Sequence, residues 1–78
     1  MSLQEAIAAY ELKFGYKNLY VDRLVGNTDN VYLLLLQQVH GFHEDLILFN
    51  SPYLPLEEAK AGLIAQIEYT LGLNSLPL

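Results

Sequence analysis

Only one stretch of the 78-residue chain gathers side chains of the kind that bind metals or move protons: His40-Gly41-Phe42-His43-Glu44-Asp45. If Gly41-Phe42 is the two-residue loop of a hairpin, His40 and His43 face each other across its tip with Cβ atoms about 5 Å apart. Asp45 then stands diagonal to His40 on the same side. Two imidazoles and a carboxylate in that arrangement are a ligand set for zinc or another transition ion. The spacing is not that of the helical His-Glu-x-x-His motif, in which the histidines share one helix face. Two histidines flanking a surface turn are ordinarily polar tip residues, so no cofactor is expected, and His40, His43 and Asp45 are the candidate metal ligands. Were the tip to border a dimer interface, protonation of both histidines near pH ~6 would loosen it.

Other chemistry lacks its residues. There is no cysteine, hence no disulfide and no thiol nucleophile. The serines at 2, 51 and 75 are not in a strand-to-helix elbow, and no glycine-rich phosphate loop is present. Glu57 and Glu58 are adjacent at a helix start and point to different sides, which suits the helix dipole rather than an acid/base pair. A non-enzymatic protein is expected.

Charge narrows the partners. Lys13, Lys17, Arg23 and Lys60 are outnumbered by nine carboxylates, for a net charge of −5. From Leu24 to Ala59 there is no Lys or Arg at all, while Asp29, Glu44, Asp45, Glu57 and Glu58 lie there. A nucleic-acid backbone is gripped by Lys and Arg that displace its counterions, so direct nucleic-acid binding is not expected. An acidic surface suits a basic protein partner. No apolar run approaches the ~20 residues of a membrane-spanning helix, and the first residues lack the basic start and apolar stretch of a secretory signal. The expectation is a cytoplasmic protein without membrane contact.

The elements that must position these residues read as one small α+β domain over 1–72, followed by an apolar tail over 73–78. Ser2 and Glu5 form a capping box, after which Leu3, Ile7, Tyr10 and Phe14 make a helical stripe with Ala6 beside it; Gly15 stops it. Leu19/Tyr20 to Val25 reads as a strand, and Gly26-Asn27-Thr28-Asp29-Asn30 as a turn. Val31–His40 and His43–Phe49 read as a hairpin joined by a type II′ turn at Gly41-Phe42. The leucines of 31–40 also allow a helix capped by Asp29 or Asn30. Ser51-Pro52-Tyr53-Leu54-Pro55 cannot continue a strand, and Pro55 with Glu57 and Glu58 behind it opens a final helix. Its stripe is Leu56, Ala59, Leu63, Ile67 and Leu71, joined by Ile64, and Gly72 ends it. The order is α-β-β-β-α: a three-stranded antiparallel meander with two helices on one face.

Counting back from the Gly41-Phe42 loop pairs Leu36 with Ile47 and Leu34 with Phe49. Tyr32, Leu34, Leu36, Ile47 and Phe49 then share one face, and Val31, Leu33, Leu35, Val39, Leu46 and Leu48 the other. Both faces are apolar, yet two helices can roof only one. The face with Tyr32, Leu34, Leu36, Ile47 and Phe49 is therefore the expected interface, closed by a second copy in a two-fold homodimer; the alternatives are a different protein, or the tail and the first strand folded across it.

The element order, and Leu56-Glu57-Glu58-Ala59-Lys60 at the start of the last helix, resemble the double-stranded-RNA-binding domain. In that family the helix opens with lysines that grip phosphate. Here Lys60 alone stands there among acids, so the resemblance implies a member turned to protein contacts. Three functions are thus expected in order: a homodimeric interaction module serving as adaptor, subunit or regulator; an acidic inhibitor of the phage or mobile-element type, occupying a basic nucleic-acid-binding surface; and a metal or ligand binder at the His40/His43 tip.

Overall fold

Helix α1 spans Leu3–Phe14 and begins where the capping box places it. In the computed structural model, which describes residues 1–26, 28–39, 41 and 44–72, the Ser2 hydroxyl accepts the Glu5 N–H at 3.1 Å. The Glu5 carboxylate accepts the Ser2 N–H at 2.9 Å. The hydrogen bond from the Ser2 backbone, then the one from its side chain, holds the Glu5 carboxyl below its ordinary value of 4.5. A depressed pKa contributes stability above the unfolded value and loses it as pH falls through the folded one. The melting temperature of wild type is therefore expected to exceed that of Glu5→Gln at pH ~6 and to converge on it as pH falls through the folded value. Gly15 closes the helix in the left-handed region at φ 78°.

The middle of the chain is strand, not helix. β1 (Tyr20–Val25), β2 (Asn30–Gln37) and β3 (Leu46–Asn50) form an antiparallel sheet in the order β1-β2-β3. A fourth short strand, β4 (Leu54–Pro55), pairs with Asn30 and Val31 at the start of β2. The expected meander thus gains a strand in a segment whose prolines argued against one. Pro55 is tolerated because it is the last residue of an edge strand, directly before α2 (Leu56–Leu71), and serves as that helix's N-cap.

Ser51 carries the chain from β3 to β4. Its N–H donates to the Leu33 carbonyl at 2.8 Å, and its hydroxyl oxygen accepts the Leu33 N–H at 2.8 Å. The hydroxyl in turn donates to the Pro52 carbonyl at 3.0 Å. A side chain thus replaces a ladder bond where the chain departs from the sheet, and Ser51 is the one buried polar residue among those described.

Val31, Leu33 and Leu35 of β2 form the core with Ala6 and Tyr10 of α1 and Ala59, Leu63, Ile67 and Leu71 of α2. Both helices therefore lie on one face, and the two apolar stripes read from the sequence face the core, with Leu3, Ile7 and Ile64 partly buried and Phe14 and Leu56 exposed at their helix ends. α2 has no base of its own in its last turn. Lys13 supplies one from α1, donating to the Leu71 carbonyl at 2.9 Å and meeting the negative end of the helix dipole.

Gly62, in the middle of α2, lets the helix lie against Pro52: an added Cβ would stand 2.8 and 2.9 Å from two ring carbons. Alanine gains about 1 kcal/mol of helix propensity, but a rigid ring cannot step aside and overpacking costs about 1–3 kcal/mol. Gly62→Ala is expected to destabilise by about 1 kcal/mol net, read from the urea midpoint.

Candidate protein interface on the open sheet face

The face of the sheet away from both helices is built by alternation. β2 contributes Tyr32, Leu34 and Leu36; β1 contributes Tyr20, Asp22 and Leu24, each opposite one of them. β3 contributes Ile47, opposite Leu36 as expected from the loop count. Beyond that pair the expected register fails. A bulge at Leu48 shifts the ladder by one residue, so that Phe49 stands opposite Leu35 and Asn50 opposite Leu34. One extra residue exchanges the two faces of everything after it. Phe49 accordingly lies on the helix side, with its ring against Tyr10 edge to face at 5.3 Å. It is a core contact and leaves the proposed interface set.

The remaining members divide. Leu34 and Leu36 are only 8% and 7% exposed, although neither described helix lies above them. They occupy the central strand and are flanked on both sides, Leu36 by Tyr20 and Ile47, Leu34 by Asp22 and Asn50. The Tyr20 hydroxyl donates to the Asp45 carboxylate. Since these residues belong to opposite edges of β2, their bond crosses the sheet beside Leu36. Towards the other end, Tyr53 stacks on Tyr32 at 4.7 Å between ring centroids. Its hydroxyl lies 2.8 Å from the Thr28 Oγ1 and fills the space that the absent side chain of Gly26 leaves. The sequence suggested Gly26 only as turn punctuation; a side chain there would also have to displace the Tyr53 hydroxyl. The outward surface of this face is therefore Tyr20, Leu24, Tyr32 and Ile47, at 40%, 52%, 38% and 53% exposure.

Its electrostatics are one-sided. Asp22 is exposed on β1, and Asp45 is half-buried at the head of β3. Among the described residues Arg23 is the only base in a strand, and it alternates to the helix side, opposite Leu33. The bond to Asp45, followed by burial and the charges of Asp45 and Asp22, raises the Tyr20 phenol above its ordinary value of 10.0. Both carboxylates are thus felt on this face.

Of the candidate metal ligands, Asp45 is the Tyr20 partner, while His40 and His43 lie outside the described residues, as do Phe42 and the tail over 73–78. The strands expected to run to His40 and from His43 are shorter: β2 ends at Gln37 and β3 begins at Leu46, so Gln38, Val39, Glu44 and Asp45 lie outside the ladder. Gly41 has φ 86°, and the rest of the expected two-residue turn lies outside the described residues. Among the described residues no three His, Cys, Asp or Glu side chains cluster as a metal site, and no helix is long and apolar enough to cross a membrane. No protein-family model, curated protein or solved structure matches the chain.

Proposed function

We propose that this chain is a non-enzymatic protein–protein interaction module whose working surface is the open sheet face. The observation that carries the reading is that Tyr20, Leu24, Tyr32 and Ile47 stand exposed together on a face that neither described helix roofs. Apolar and aromatic side chains with a polar rim are the composition of an interface, and a cluster of this kind marks a partner site. Glu57 and Glu58 in the first turn of α2 put carboxylates where a phosphate backbone would need bases, which supports protein contacts rather than RNA. The occupant suggested by the hydrophobic pattern is a second copy in a two-fold dimer; a basic protein is the other.

Ile47→Asn tests the reading, because it removes apolar contact from the face without touching the helix-side core. Its melting temperature is expected to stay within the range of a surface substitution, below about 1 kcal/mol. Its binding to whichever partner copurifies with the tagged wild type, a second copy included, is expected to fall at least about tenfold. Leu12→Asn, at a residue 87% exposed on α1, should bind as wild type does. Equal binding by all three proteins would remove the open face as the working surface.

A further inference from the structure

The open face combines tyrosine rings with carboxylates and takes no base from any strand, and this asymmetry restricts what can dock there. Asp22 flanks the patch on the β1 side, and Asp45 flanks it on the β3 side, holding Tyr20 between the edges. A carboxylate that accepts one hydroxyl keeps further lone pairs for a cation, and tyrosine faces attract guanidinium and ammonium groups. A second copy would bring the same two carboxylates against these two, adding its own net charge of −5 and no strand-borne cation to meet them. Four outward side chains are also few beside the roughly 20–30 residues a side of a stable two-fold interface. Complementarity therefore favours a partner of opposite sign.

We propose that the open face docks a cationic amphipathic segment of another protein, with apolar side chains on Leu24, Tyr32 and Ile47 and arginine or lysine side chains on the Asp22 and Asp45 carboxylates. This rests on the reading of the open face as an interaction surface and names the class of partner it takes. Tyr20, spanning towards Asp45, supplies a ring beside that carboxylate, so a guanidinium can pair with the acid and lie on the ring together. The apolar contacts give area, and the two acids give sign and register.

The test uses two synthetic amphipathic helices, identical except that one carries arginine and the other glutamate on its polar side, titrated into the isotopically labelled full chain. The arginine helix is expected to shift the resonances of Leu24, Tyr32 and Ile47, and the glutamate helix to leave them in place. The Arg23 N–H donates to the Asp22 carboxylate at 2.8 Å, and the double variant Asp22→Asn, Asp45→Asn keeps an amide oxygen as acceptor both there and for the Tyr20 hydroxyl. It should bind the arginine helix about fivefold more weakly and lose most of its salt dependence. Equal binding of both helices on this face would overturn the charge inference and leave the interaction surface standing. Shifts confined to the helix side would overturn both. Concentration-dependent shifts of the same residues without peptide, with a dimer in sedimentation, would overturn it in favour of a second copy.

Discussion

Leu35→Ala is expected to be the most damaging single truncation, costing about 4 kcal/mol in urea unfolding followed by circular dichroism. Leu35 is fully buried in the middle of the central strand, paired with Val21 on one side and Phe49 on the other, beneath a core drawn from both helices. A site held on every side cannot collapse onto the missing atoms, which places it towards the upper end of the range for Leu→Ala changes. Domains of this size have a total stability of about 4–12 kcal/mol, so the variant is expected to lose between about a third and all of it. Leu34→Ala, one residue along but facing away from the helices, should cost about half as much, because its surroundings are side chains of the strands alone. A cost for Leu34 equal to that for Leu35 would mean that the open face is packed as tightly as the core.

Ser51→Ala is expected to cost about 2 kcal/mol although it deletes a single atom. The hydroxyl oxygen is the acceptor for the Leu33 N–H, and Ser51 is only 2% exposed. Its loss strands a buried donor, the circumstance in which a missing hydrogen bond costs its full desolvation penalty. Amide exchange at Leu33 should accelerate at least about tenfold relative to Leu35, the cost being concentrated at the joint. Uniform acceleration along β2 would instead point to general loosening.

Much of this architecture could be read from residue types. The capping box at Ser2 and Glu5, the two helical stripes and their glycine stops are local signals, and local signals survive folding. The β2 segment was open to two readings because leucine favours helix; β-partners on both of its sides decide it as strand. The hairpin register was legible at Leu36 and Ile47, a pairing that counting from a turn centred on Gly41-Phe42 gives although the ladder itself stops at Gln37 and Leu46. It failed at Phe49 because a bulge has no composition signature in Leu-Ile-Leu-Phe, and one residue of slip moves a ring from the open face to the core. β4 was missed because its pairing depends on Ser51 holding the chain beside β2 past a proline, a long-range contact that no window of sequence contains. The candidate interface was legible as a two-sided apolar ribbon. That Leu34 and Leu36 would be shielded by their own cross-strand neighbours was not, because pattern alone does not measure how far tyrosines reach.

The edges of the sheet bear on how the protein behaves when crowded. Two β1 strands meeting edge to edge antiparallel about an axis normal to the sheet must place same-face residues opposite one another. The two longest such registers set Asp22 against Asp22 or Arg23 against Arg23, a like-charge collision at the centre of the new ladder. At the opposite edge, the bulge at Leu48 twists a strand that is uncharged and, up to Asn50, apolar. Both flanks thus discourage further strands from joining, and a chain this rich in leucine gains a defence against fibril growth. Removing the Leu48 bulge by deletion would surrender that defence while leaving the helices intact.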